Sequence, residues 1–122
     1  MHARADEKEA KAPKEAKPVA CIMANMIERK YAVDNKTVLF FMRGKKAFRS
    51  DLAAACSTLA PGDTELELHY DTQSQKLTRV CDYDGFSVEH KPGLNCPLGR
   101  FTPVPYEEAM KLVDKVEGKP AQ

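Results

Sequence analysis

The chain has 122 residues, and its 19 basic and 18 acidic side chains give a formal net charge of +1. This length fits one small domain, whose core would be modest because the chain has no Trp and only nine Phe and Tyr. The charge lacks the basic excess typical of nucleic-acid binding, and the longest apolar stretch, TVLFFM, is far shorter than a membrane span. Composition therefore predicts neither a nucleic-acid partner nor a membrane-spanning segment.

Residues 1–18 alternate Lys, Glu, Ala and Pro, and this pattern predicts a disordered charged tail. The tail lacks the apolar core of a signal peptide. Two interpretations fit: a cytosolic protein with a charged tail, or an exported protein whose signal segment has been replaced by an initiator methionine. An even number of cysteines in a small domain favours the second, with a periplasmic or extracellular location.

The segment after Val19 predicts a β-hairpin with arms at 27–33 and 37–43 around the turn residues Asp34 and Asn35. The second arm has apolar side chains on both faces, as a central buried strand should. A turn at Gly44 leads to a third strand at 47–49. The basic residues of this turn form a possible anion-binding site, although charged turn residues are usually only solvated. They are Arg43, Lys45, Lys46 and Arg49.

Residues 50–81 predict a short helix followed by a second hairpin. Ser50 or Asp51 can cap a helix in LAAACSTLA (52–60), which Pro61 and Gly62 end. TELELHY (64–70) alternates apolar and polar residues strictly, and KLTRVC (76–81) is expected to return antiparallel to it.

The remaining residues predict two further strands, at 85–90 and 98–104, and a helix at 105–117. In that helix Tyr106, Met110 and Val113 share one side. Residues 118–122 are expected to fray. The prediction is a mainly β domain at 19–104, an antiparallel barrel or sandwich of six or seven short strands with one short internal helix and a C-terminal helix.

The four cysteines are separated by 35, 25 and 15 positions, without the close pair that zinc knuckles and dithiol redox motifs require. Two disulfides are therefore favoured, with three possible connectivities. Because the predicted second hairpin brings Cys81 beside the end of the predicted internal helix, we expect Cys56 to pair with Cys81. Cys21 would then pair with Cys96.

A soft-metal site is the alternative, with copper as the ion. Cys21, Met23 and Met26 form a string of ligands suited to Cu(I), and His69 or His90 could join a surface site. Methionine at this spacing is more often core filler. His2 could chelate a metal with its own amine only if it were the first residue of the mature chain. No other cofactor is predicted.

No catalytic constellation stands out. Asp82 and Asp84 could offer paired carboxylates with His90 as a base, but this spacing is ordinary in a turn that leads into a strand. There is no nucleophile elbow and no glycine-rich phosphate loop. The sequence therefore predicts a protein that is not an enzyme.

The order of these features resembles a family of small proteobacterial envelope proteins known only as a domain of unknown function. The resemblance covers about Cys21 to Val104 and ends in a Cys-x-Leu-Gly-x-Phe-x-Pro segment. The charged tail and the C-terminal helix depart from the family pattern. The matching positions are Cys21, Asp34, Phe48, Leu52, Cys56, Leu59, Cys81, Cys96, Leu98, Gly99, Phe101 and Pro103.

This resemblance implies export to the periplasm or cell surface, four oxidised cysteines and no assigned catalytic residue. The expected function is a binding or structural module of the cell envelope. Its expected partner is another envelope protein, contacted through exposed sheet edges or through the basic turn.

Overall fold

The structure, a computed structural model, describes residues 17–70, 78–91 and 95–118. Residues 1–16 of the predicted tail and 119–122 of the predicted C-terminal tail lie outside this part. Within it the secondary structure is mainly β. The elements are β1 (Cys21–Met23), a 3₁₀ turn (Ala24–Met26), β2 (Ile27–Asp34), β3 (Thr37–Met42), β4 (Lys46–Asp51), β5 (Leu66–His69), β6 (Arg79–Cys81), β7 (Gly85–Val88), β8 (Cys96–Pro97), β9 (Phe101–Val104) and the helix α1 (Tyr106–Val116).

The strands form three antiparallel sheets. The largest has the order β2-β3-β4-β9, the second has the order β5-β7-β8, and β1 pairs with β6 alone. The predicted mainly β, antiparallel fold is confirmed, but the described strands stay in three open sheets and do not close into a barrel. Both sheets of three or more strands thus keep edge strands, which are β2 and β9 in one and β5 and β8 in the other.

Strand β3 is buried on both faces, as its sequence predicts. Val38 and Phe40 belong to a core cluster that also contains residues of β1 and of β5 to β9. Leu39 and Phe41 belong to a second cluster on the opposite face, packed against α1. Since alternate side chains of a strand point to opposite faces, the four-stranded sheet lies between the helix and the two smaller sheets.

The helix α1 follows Pro105 and carries acidic residues in its first turn, which complements the helix dipole. Ala109 and Val113 are its buried positions. Tyr106 and Met110 are partly buried against the same cluster, which confirms the predicted apolar side. The Tyr106 ring meets Phe41 edge-on at a centroid distance of 5.8 Å.

Tyr31 joins this layer to the end of the helix. Its ring is fully buried, and its hydroxyl donates a hydrogen bond to Glu117 Oε2 at 3.0 Å. Burial raises the pKa of Tyr31, and the nearby Glu117 carboxylate raises it further. The folded protein therefore holds the phenolic proton more tightly than the unfolded chain does.

This pKa shift predicts a loss of stability in alkali. Below the unfolded pKa of about 10 both states keep the proton, and the Tyr31 contribution to stability is fully present. As the pH rises from there through the raised folded pKa, the unfolded chain ionises first and the free energy of unfolding falls. We expect Tyr31→Phe to cost about 1 kcal/mol at pH 7 and to lose less stability than wild type above pH 10. Urea unfolding at pH 7 to 11 measures this.

Tyr83→Phe is the control, because Tyr83 is 81% exposed. The assignment to Tyr31 would be contradicted if Tyr31→Phe lost as much stability in alkali as wild type does, while Tyr83→Phe lost less.

The predicted helix at 52–60 is wrong. The backbone N–H groups of Leu52 and Cys56 donate to Lys36 O and Asn35 O, both at 2.8 Å, instead of bonding within a helix. Their side chains and that of Leu59 are buried in the larger cluster. The segment is an irregular connection that packs over the end of the first hairpin.

The predicted second hairpin is also wrong in its pairing. Strand β5 does lie in TELELHY, but it pairs with β7, with Leu66 opposite Val88 and His69 opposite Gly85. The strand in KLTRVC, β6, pairs with β1. The predicted first hairpin is confirmed, with Tyr31 opposite Leu39.

Both predicted disulfide pairs are therefore wrong, although two disulfides are present. Cys21 is bonded to Cys81, directly opposite it in the β1–β6 pair, with Cα atoms 3.9 Å apart. Cys56 is bonded to Cys96 of β8, with Cα atoms 5.8 Å apart. The prediction failed because it placed β6 next to β5, which would have brought Cys81 to Cys56.

Candidate functional site

The predicted copper ligands do not form a soft-metal site. The sulfur of Cys21 is consumed in its disulfide, so no thiolate is available there. Met26 packs against the larger core cluster, and Met23 is half-buried in β1. Met26 thus serves as the core filler that was the competing interpretation.

The two candidate histidines are not brought together. His69 ends β5 beside Gly85, and its Nε2 lies 2.9 Å from the hydroxyl of Ser87. His90 follows β7 at the opposite end of the same strand pair, with its Nε2 3.7 Å from Glu65 Oε1. A single ion cannot be bound by both.

The basic turn lies at the tip of the β3–β4 hairpin. Lys45 adopts a left-handed conformation with φ 57°, and Arg43, Lys45 and Lys46 are exposed. Arg49 is already paired with a carboxylate of the protein, because its Nε donates to both carboxylate oxygens of Asp51 at 3.0 and 3.1 Å. The predicted anion site thus keeps three of its four cations on one exposed turn.

The acidic residues considered for catalysis have structural contacts. Asp84 Oδ2 accepts the backbone N–H of Cys81 at 2.7 Å, which closes the turn between β6 and β7. Asp82 Oδ2 lies 3.5 Å from Arg100 Nε. The contact of His90 is with Glu65, at 3.7 Å, so the described contacts do not pair it with Asp82 or Asp84.

One cluster of potential ligands does form, and it includes His90. One carboxylate oxygen of Glu65, one of Glu89 and a ring nitrogen of His90 all lie within 4.8 Å of one another. The three side chains are exposed and line an open pocket of about 340 Å³ between 62–65 and 88–91. Sequence reasoning singled out His90 but missed the two glutamates, since Glu65 reaches it only through the β5–β7 pairing.

A groove of about 290 Å³ separates the edge strands β2 and β5. Its apolar lining includes Ile27, Leu68 and Tyr70, all half-buried, and Lys30 lies on the β2 side. On the β5 side the lining includes Glu67. The groove thus combines apolar side chains with charged residues along its borders.

The backbone direction of both strands can be read from their hydrogen bonds. Ala32 N donates to Asp63 O at 2.9 Å, so the peptide groups of Ala32 point away from β3. Because the direction alternates along a strand, the peptide groups of Lys30, two residues earlier, point the same way. Glu89 N donates to Glu65 O at 2.9 Å, so the peptide groups of Leu68, three residues after Glu65, point away from β7. Lys30 and Leu68 therefore aim backbone donors and acceptors to the groove side.

The other two edges are blocked against strand addition. On the outer side of β9, Val19 N donates to Phe101 O at 2.8 Å and Phe101 N donates to Val19 O at 2.9 Å. Pro103, two residues later in β9, has no N–H to offer on that side. In β8 the outward position is Pro97, opposite Gly85. Proline on an edge strand is a common protection against unwanted pairing.

No protein-family profile, curated protein or solved structure matches this chain. In the described part of the chain, no helix combines the length and the apolar character needed to cross a membrane.

Proposed function

We propose that this protein is an exported binding module of the cell envelope, without catalytic activity, that takes an extended segment of a partner protein into the groove between β2 and β5. An oxidising compartment is supported by the two disulfides, which involve all four cysteines of the chain. That chemistry supports a periplasmic or extracellular location. The bonded positions of Asp82 and Asp84 favour binding over catalysis.

The observation that carries this proposal is the contrast between the sheet edges. Two edges, β8 and β9, have proline at outward positions, whereas β2 and β5 direct peptide groups to a shared groove. An extended peptide that adds to a sheet edge gains main-chain hydrogen bonds, and its alternate side chains gain contacts in flanking pockets.

The lining indicates the chemistry of the bound segment. Ile27, Leu68 and Tyr70 favour apolar side chains at alternate positions of the ligand. Lys30 on one border and Glu67 on the other favour a ligand that carries an acidic and a basic residue at its outward positions. The expected ligand is a short alternating strand of a partner protein.

Lys30→Pro tests this proposal. Because the Lys30 N–H points away from β3, proline removes a groove donor without removing a bond of the β2–β3 ladder. Peptides of twelve residues would first be selected from a random displayed library against the full chain. We expect Lys30→Pro to weaken the selected peptides at least tenfold in isothermal titration calorimetry, about 1.4 kcal/mol.

Lys30→Ala is the matched control, since it removes the side chain and keeps the N–H. We expect it to change peptide affinity by less than threefold, and both variants to melt within a few degrees of wild type. Equal affinity for wild type and Lys30→Pro, or a selection that yields no groove-binding peptide, would contradict strand addition at this groove.

A further inference from the structure

The cluster of Glu65, Glu89 and His90 has the composition of a metal site, and of its three members Glu89 also lines the groove. It combines one imidazole nitrogen with two carboxylate oxygens, and all three ligand atoms lie within 4.8 Å of one another. In a tetrahedral zinc site with bonds of about 2.1 Å, neighbouring ligand atoms are about 3.4 Å apart. The His90 Nε2 to Glu65 Oε1 distance of 3.7 Å is already near that value.

The backbone holds these three positions together. Glu89 N donates to Glu65 O at 2.9 Å, which extends the β5–β7 ladder by one pair beyond the strands. His90 then takes a left-handed conformation with φ 66°, and Lys91 N donates to Val88 O at 3.2 Å to close the turn. The ligands therefore sit on a strand end and a tight turn, and a bound ion would need side-chain rotation but no refolding.

The nearest cation in the sequence is occupied elsewhere. Lys91 Nζ lies 3.0 Å from Asp63 Oδ2 and donates to Thr58 O at 3.2 Å. It thus pairs with a carboxylate outside the cluster. A divalent ion would neutralise the two carboxylates of the cluster.

We propose that Glu65, Glu89 and His90 bind a first-row divalent transition-metal ion, with zinc as the reference ion. Nitrogen and carboxylate ligands suit Zn²⁺ and its neighbours, in contrast to the soft sulfur ligands that Cu(I) prefers. Three protein ligands leave a coordination position open on the side of the 340 Å³ pocket. Water, or a carboxylate of a bound partner, can fill that position.

Zinc titration of the full, tag-free oxidised chain tests this inference. We expect one Zn²⁺ per chain by calorimetry, and binding at least tenfold weaker in Glu65→Gln and in His90→Asn. Asparagine is chosen at position 90 because it tolerates the left-handed conformation found there. X-ray absorption of the loaded protein should show nitrogen and oxygen ligands only.

His69→Gln is the matched control. His69 is exposed on β5 and does not belong to the cluster. We expect this variant to bind zinc within twofold of wild type. Wild-type protein that binds no zinc at millimolar concentration would overturn the proposal, and so would a site that survives His90→Asn and is lost in His69→Gln. Neither result depends on peptide binding, so the groove is tested separately.

Discussion

Replacing Cys56 and Cys96 together by alanine should lower the free energy of unfolding by about 4 kcal/mol. The bond closes a segment with a sequence separation of 40, and the chain-entropy model gives a value of this size for such a loop. Both residues are buried, Cys56 at 1% and Cys96 at 8% exposure, so lost packing adds to the entropic effect. A loss of this size is a large fraction of the stability of a small domain.

Urea unfolding of the double variant against wild type measures this effect. The Cys21→Ala, Cys81→Ala variant is the comparison. Its entropic effect is similar, for a separation of 60, but only one of its two cysteines, Cys81, is buried. We expect it to lose less packing. Unchanged unfolding of the Cys56 and Cys96 variant would contradict the bond.

The pairing itself is checked on protein recovered from an oxidising compartment. Reduction should add four hydrogens, two for each bond. Trypsin does not cut between Lys91 and Pro92, so a second protease that cuts after Glu89 is used to separate Cys81 from Cys96. A peptide in which Cys56 is joined to Cys81 would support the pairing predicted from sequence and contradict the structure.

Local patterns predicted the first hairpin and the C-terminal helix well. In β3 the apolar residues occupy both faces, and the structure buries Phe40 and Phe41 in opposite clusters. The turn at Asp34 is fixed within the sequence, since Lys36 N donates to Asp34 Oδ1 at 2.9 Å. These elements depend on contacts between residues close in the chain, which sequence patterns record directly.

Strand pairing between distant segments could not be predicted in the same way. TELELHY looks the same whether its partner is β6 or β7, because alternation identifies a strand and not its neighbour. The choice depends on the β1–β6 pair, in which Ile22 lies opposite Val80 and both join the larger core. Once β6 was assigned to the wrong partner, the disulfide pairing was wrong as well.

The segment 52–60 shows a second limit. Leu52, Cys56 and Leu59 are buried at helical spacing, and the intervening alanines favour a helix. The backbone instead bonds to the Asn35–Lys36 turn, and tertiary contacts override the local preference. For the same reason the Glu65, Glu89 and His90 cluster was only partly visible in the sequence: its members meet through a strand pair that local patterns do not specify.

Gly99→Ala should be among the most damaging single substitutions in this chain. A Cβ atom at this position would overlap the backbone carbonyl of Asp51, at the end of β4. Backbone atoms cannot rotate away as a flexible side chain can, so the loop before β9 has to move. Overpacking of this kind costs about 1 to 3 kcal/mol before any bond is lost.

The movement would also break a buried pair of hydrogen bonds. Ser50, fully buried, donates its hydroxyl to Gly99 O at 2.9 Å and accepts the Gly99 N–H at 3.1 Å. Unpaired buried polar groups cost about 1 to 3 kcal/mol. Together these effects predict a loss of about 3 to 5 kcal/mol for Gly99→Ala, measured by urea unfolding at pH 7.

Two further variants separate crowding from the loss of these bonds. Gly44→Ala meets no atom within 4 Å but has φ 82°, so it should cost only about 1 kcal/mol through backbone strain. Ser50→Ala removes the bonds without crowding the loop. If the bonds are part of the Gly99→Ala effect, the double variant should be more stable than the sum of the two single losses predicts. Strict additivity would mean that Gly99→Ala leaves the Ser50 bonds intact and acts through crowding against Asp51 alone.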